Sequence, residues 1–289
     1  MPSITIQDTP HYYELTPKTD RPWVLVFVHG WLLSRHYWQP LIDQLAAEFC
    51  CLSYDLRGFG ESGVNPKAMV EDYTPQAYAR DLGALLEALE IPAVWVVGHA
   101  LGGEVALWSA ALCPDRVKGV TCLGVGGGIY LKEEFERFRD LGQQLLQLRR
   151  GWLGCVPGVE SFFARASVWQ PLSSAWGRQR LRDFLGADRT AALGTLFGLT
   201  AEQEVHQLPR LVARLSQPVY FLAGQQDPIM EPQYVRHLAS FHPLFQAECG
   251  ANFIELGECG HLAMLERTEA VAEQVRRGVM ACQVVSQSR

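Results

Sequence analysis

The sequence predicts an α/β fold, a mostly parallel, doubly wound sheet with a helical cap insertion. Three observations carry this. Short apolar, β-branched runs alternate with helical patterns along most of the chain. Those runs are nearly continuous in hydrophobicity, as in strands covered on both faces. The alternation then lapses between 128 and 212, where no strand pattern occurs.

In order, the expected strands are 23–28 (WVLVFV), 50–54, 93–97 (AVWVV), 120–125, 219–223 and 253–256. Helical stretches are expected near 36–47, 75–89, 102–112, 232–240 and 268–282. Within 75–89, Ala79, Leu82, Leu85, Leu86 and Leu89 recur at helical spacing. The predicted division is a core of 1–127 and 213–289 and a cap of 128–212 over the carboxyl edge of the sheet, where ligands bind in such folds. A chain of 289 residues is long enough to bury a large core without staples.

Composition narrows the classes. With 48% hydrophobic and 19% charged residues, the chain is neither disordered nor fibrous. The net charge of -6 argues against nucleic acid as a partner. No stretch lacking Asp, Glu, Lys and Arg reaches the ~18 residues of a membrane span. The start, MPSITIQDTP, lacks a basic segment followed by an apolar run, so no signal peptide is expected. Eight cysteines without a C-x-x-C pair read as reduced thiols, which suits the cytoplasmic side of a membrane. The charge is uneven: 149–182 carries six arginines against Glu160, a net of +5, and the remainder carries -11.

The most informative stretch is Gly98-His99-Ala100-Leu101-Gly102-Gly103-Glu104, directly after an expected strand and before a helix. Flanking glycines permit a strained turn that lifts the central side chain to a helix N-terminus, the setting of a catalytic nucleophile. The centre should be Ser, Cys or Asp, and here it is Ala100. Downstream, Asp227 follows an expected strand, and His261 follows the last one. The order nucleophile, acid, histidine makes His261 the general base and Asp227 its orienting partner. After the first strong strand comes His29-Gly30-Trp31. The backbone N–H groups of Trp31 and Leu101 are the expected oxyanion-hole donors. In Asp55-Leu-Arg57-Gly58-Phe-Gly60-Glu-Ser62, Asp55 and Arg57 read as structural, and Ser62 lies outside the elbow. No metal or cofactor motif occurs, so no cofactor is expected.

These residues together resemble the α/β-hydrolase superfamily over essentially the whole chain. Within it, the elbow and 130–139 (YLKEEFERFR) are most similar to the chlorophyll dephytylases of cyanobacteria and plastids. That resemblance implies hydrolysis of a hydrophobic ester, the phytyl ester of chlorophyll or pheophytin first among them. It also implies peripheral association with thylakoid membranes. The departure is Ala100. Either a serine was exchanged there to trap a bound substrate, or the chain is a natural non-catalytic pigment or lipid binder. The intact Asp227, His261 and glycines favour the first. Lactone or C–C bond hydrolysis is a further alternative.

A large ester needs an apolar cleft. His29, His99, Trp152, Phe162 and Phe163 are the expected substrate-binding residues. Apolar residues mixed with Arg149, Arg150, Arg178 and Arg180 suit the surface of an anionic membrane.

Overall fold

The computed structural model describes residues 2–64, 72–127, 131–149, 151–247 and 249–287. Eight strands form one sheet: β1 (Ser3–Ile6), β2 (Thr9–Leu15), β3 (Val24–Val28), β4 (Cys51–Tyr54), β5 (Val94–His99), β6 (Val117–Leu123), β7 (Val219–Gly224) and β8 (Phe253–Leu256). The spatial order is β1-β2-β4-β3-β5-β6-β7-β8. From β4 to β8 every pairing is parallel, and β1 and β2 run antiparallel along one edge.

The parallel strands are apolar on both sides because both sides are covered. Val26, Val28, Val94, Val96, Val120 and Phe221 face one helical layer. Leu25, Phe27, Trp95, Val97 and Leu222 face the other. Trp95 marks the centre of the second face: it stacks between Trp23 and Tyr220, and its indole N–H donates to Thr121 Oγ1 at 2.9 Å.

The helices, in chain order, are α1 (Gln39–Leu45), α2 (Pro75–Ala88), α3 (Leu101–Leu112), α4 (Lys132–Gln147), α5 (Val159–Arg165), α6 (Ser174–Gly186), α7 (Arg189–Leu199), α8 (Glu202–Arg214), α9 (Pro232–Ala239), α10 (Pro243–Ala247), α11 (Ala263–Glu266) and α12 (Thr268–Gln287). Helices α2 and α3 pack on the first face of the sheet, and α1, α11 and α12 on the second. α2 starts cleanly because Pro75 takes its first position and Thr74 Oγ1 accepts the Ala77 N–H.

Five helices, α4 to α8, lie between β6 and β7, where the strand pattern lapsed. The boundary expected at 212 falls inside α8. The apolar side of that helix (Leu208, Leu211, Val212) joins the core layer beside α3 and α9. Tyr130 and Arg150 lie outside the described residues.

Besides the short helices α10 and α11, the structure adds a β1–β2 hairpin that the sequence does not announce. It pairs with β4 through Tyr13, Glu14 and Leu15, and so covers what would be an open parallel edge.

Candidate active site

Ala100, Asp227, His261, Trp31 and Leu101 all follow the carboxyl ends of parallel strands. β5 ends at His99, and α3 begins at Leu101, so Ala100 alone makes the turn. Its backbone is at φ 48°, ψ -116°, a conformation that costs an L-residue energy. The turn is held by Ala100 N–H donating to Leu123 O and by Gly103 N–H donating to Ala100 O, each at 2.9 Å. The glycines are steric necessities. A Cβ on Gly98 would lie 2.1 Å from Gly102 O, and one on Gly102 would lie 2.1 Å from Val28 O. Strand, turn and helix therefore interlock only when both side chains are absent.

Asp227 and His261 come together. β7 ends at Gly224, and the next turn buries Asp227. Its Oδ1 accepts the N–H groups of Ile229 (2.8 Å) and Met230 (2.9 Å). Its Oδ2 lies 2.7 Å from His261 Nδ1. A carboxylate there holds the proton on Nδ1 and leaves Nε2 as the basic nitrogen. Gly124, at φ 60°, lies directly beneath this pair; a Cβ there would stand 3.3 Å from the His261 ring. Leu101 is the first residue of α3, so its N–H has no carbonyl within the helix and is free to serve an anion. Trp31 follows β3 in a turn and anchors by its indole N–H, which donates to Ala192 O of α7 at 2.9 Å. The insert is thereby tied to the loop that carries the second expected donor.

Two of the expected substrate-binding residues turn out otherwise. His29 is fully buried. Its Nδ1 faces Gly30 O at 2.8 Å, and its Nε2 accepts the Leu56 N–H at 2.9 Å, so it braces two loops. Burial lowers its pKa and keeps it neutral. His99 is buried as well, and its Nε2 donates to the backbone carbonyl of His261 at 2.8 Å. Burial holds its pKa well below the ordinary value, and the neighbouring His261 adds to that. With both rings facing backbone in the interior, neither is presented to a substrate. Phe163 is half-buried against Phe184 at 5.4 Å, while Trp152 and Phe162 stand exposed on the insert.

The arginine expectation also changes. Arg149 donates to Leu185 O and Ala187 O, and Arg180 donates to Phe163 O and Ala166 O. Both brace the insert internally. Arg165, Arg178 and Arg182 remain exposed.

Sequence reasoning missed Arg35, Asp183 and Glu266. Arg35 is buried and pairs with Asp55, Glu14 and Glu61, which fixes the turn after β4. Ser62, in the same turn, accepts the Tyr12 N–H at 2.9 Å and is fully buried, which rules it out as a nucleophile. Asp183 of α6 accepts the Ser34 hydroxyl at 3.0 Å across the boundary between insert and core. Glu266 binds backbone on either side of His261. Among the described residues, no group of three or more His, Cys, Asp or Glu side chains is placed to hold a metal ion.

The family model described as alpha/beta hydrolase fold matches residues 24–268. A pimeloyl-[acyl-carrier protein] methyl ester esterase of Xanthomonas campestris pv. campestris is 30% identical over 269 residues, covering 89% of this chain and 95% of the relative. An epoxide hydrolase of Caballeronia sordidicola is 29% identical, covering 88% and 86%. A solved thermophilic esterase from Thermogutta terrifontis superposes with a TM-score of 0.76 at 24% identity, covering 98% of this chain and 99% of that one.

Proposed function

This chain belongs to the alpha/beta hydrolase family, and on that premise we propose that its site is built for ester hydrolysis by a serine nucleophile whose seat is occupied by Ala100. The observation that carries the reading is the elbow itself. Ala100 keeps a strained backbone (φ 48°, ψ -116°) that a plain strand-to-helix turn does not need, beside an assembled Asp227–His261 pair.

A serine in that seat would give its proton to His261 Nε2 and attack the ester carbonyl. The N–H groups of Trp31 and Leu101 would receive the negative oxygen. The imidazolium would protonate the departing alcohol, and water activated by the same nitrogen would release the acid. Ala100 carries no nucleophilic atom, so the chain as written lacks this covalent route, though the remaining groups can support a small residual rate.

For the substrate we propose an ester with an extended apolar part. The names of the curated relatives point to a slender acyl methyl ester. The elbow sequence and the exposed apolar surface of the insert (Leu141, Leu148, Trp152, Phe162) point to a bulkier one such as the chlorophyll phytyl ester. The exposed Arg165, Arg178 and Arg182 add positive charge to the same insert, which supports peripheral docking on a membrane carrying anionic lipid. No described helix is long and apolar enough to cross one.

The test is Ala100→Ser, assayed on short p-nitrophenyl esters, an acyl methyl ester and chlorophyll. Turnover of any of these, abolished by His261→Ala, is expected. A well-folded Ala100→Ser protein that turns over none of them, yet binds the ligand tightly, would replace the enzyme reading with that of a binding protein.

A further inference from the structure

The geometry points to Glu266 as a positioning residue for the general base, one that makes the seat of His261 depend on how the insert docks; this rests on the reading of His261 as that base. Glu266 is the last residue of the four-residue helix α11. Its carboxylate takes three backbone N–H groups from two separate parts of the chain. Oε2 accepts from Trp169 at 2.7 Å and from Gly260 at 2.9 Å. Oε1 accepts from Leu262 at 3.0 Å. Gly260 and Leu262 are the immediate neighbours of His261 on either side. Trp169 lies in the link between α5 and α6, inside the insert. Bonds from N–H to an ionised oxygen are among the stronger ones a protein makes, so the arrangement is more than surface decoration.

Independent contacts close the same joint. The His261 N–H donates to Ser167 O at 2.8 Å, again in the link between α5 and α6. Gly260 lies so close to the link that a Cβ there would stand 2.7 Å from Val168 Cα, 2.7 Å from Trp169 N and 2.9 Å from Ser167 O. Ser167 turns at φ 63°. On its far side the link is fixed by Arg180 of α6, whose Nη1 donates to Phe163 O at 2.6 Å and Ala166 O at 2.5 Å. A continuous series of contacts thus runs from α6 of the insert, through the link, to the backbone of His261.

The side chain of His261 is aimed by Asp227, and its main chain is aimed by this joint. If the link shifts, the N–H acceptor of His261 moves, and so does the carboxylate clamp on its two neighbours. A displacement on the order of 1 Å at a reacting group costs about 100-fold in rate. The insert therefore does more than cover the site: its seating sets the position of the base.

Glu266→Gln tests this, because the amide retains one acceptor oxygen and turns a donor toward an N–H. In the chain as it stands, with Ala100, the proton between His261 Nδ1 and Asp227 is followed by NMR, together with the titration of the His261 ring. A displaced proton resonance and a displaced midpoint in Glu266→Gln are expected, with unchanged far-UV dichroism. In an Ala100→Ser background the same change should lower kcat about 10- to 100-fold and leave KM within about twofold. If the resonance and the midpoint stay at their parental values while only Tm falls, Glu266 is structural glue and the proposal is overturned. An inactive Ala100→Ser protein with a displaced His261 resonance sinks the esterase reading and leaves Glu266 in this role.

Discussion

His99 donates its Nε2 proton to the backbone carbonyl of His261 across 2.8 Å, and the two rings meet edge to face with centroids 4.6 Å apart. The residue before the nucleophile seat thus supports the residue that serves it. His99 stays neutral, so it does not compete for charge when His261 gains a proton. On its other side, a Cβ at Gly30 would come 2.7 Å from His99 Nδ1, so His99 also fixes how near the Trp31 loop can lie. In the Ala100→Ser protein, His99→Gln, which keeps an N–H donor, is expected to retain most activity, and His99→Ala to lose about tenfold or more in kcat. Steady-state kinetics on a p-nitrophenyl ester decides this. Equal rates for the two variants would remove His99 from any role in placing the base.

Asp227→Asn in the same background should leave the fold intact and reduce kcat by about 10⁴-fold, because the amide no longer favours the productive tautomer of His261. Ser167 O and Glu266 still hold the His261 backbone. Thermal melting should therefore change little while turnover nearly vanishes.

Asp183 gives the protein a pH dependence of stability. Burial pushes its pKa from 3.8 up to about 7, against hydrogen bonds from Gln179 and Ser34 that favour the charged form. The negative charge of Asp55, in the turn after β4, adds to the upward shift. The folded protein then holds a proton that the unfolded chain has released. Stability from this group is complete below about pH 4 and is lost as pH rises towards 7. Asp183→Asn should flatten that slope, raising Tm at pH 8 by roughly 3 °C and leaving it unchanged at pH 4. Melting curves at the two pH values check it; an equal shift at both contradicts it.

Arg35→Leu leaves Asp55 buried without its cation, while the two N–H groups from Arg35 and Glu61 remain on it. A loss of about 3–5 kcal/mol in chemical denaturation is expected, insensitive to added salt. A loss below about 1 kcal/mol would show that those backbone bonds carry the carboxylate alone.

Gly98→Ala and Gly102→Ala each drive a methyl group into a carbonyl oxygen. Each should cost about 3 kcal/mol or prevent folding outright. Gly63→Ala, in open space, serves as the neutral control.

The parallel strands and the Asp227 and His261 positions at their ends were legible because their signals are local. An apolar run ending in a turn residue needs no distant partner to be recognised. The β1–β2 hairpin was not legible. Its turn is made by Gln7 and Asp8, both at positive φ, without the glycine that normally announces such a turn. Pro10 within β2 also reads against a strand, although at this edge it pairs with Thr5 without harm. Glu266 and Arg35 were invisible for another reason. Each is a single charge in an ordinary sequence setting, and only the folded chain shows the N–H groups or carboxylates gathered around it. For His29 and His99, sequence places the residues near the site without saying which way their rings turn.

The insert departs from the end of β6 and returns into β7, and these two strands are hydrogen-bonded neighbours, with Leu123 opposite Leu222. Because β6 and β7 are parallel, the chain leaves at the carboxyl edge and must cross back to the start of β7, with α8 as the last helix before it; lengthening the segment ahead of α8 costs little closure entropy. The region is in effect an interchangeable cassette on a fixed chassis. A transplant from a relative should leave the sheet in register, but it must bring an N–H for Glu266 and a carbonyl for the His261 backbone. A graft that lacks them would fold with new selectivity and a misaimed base.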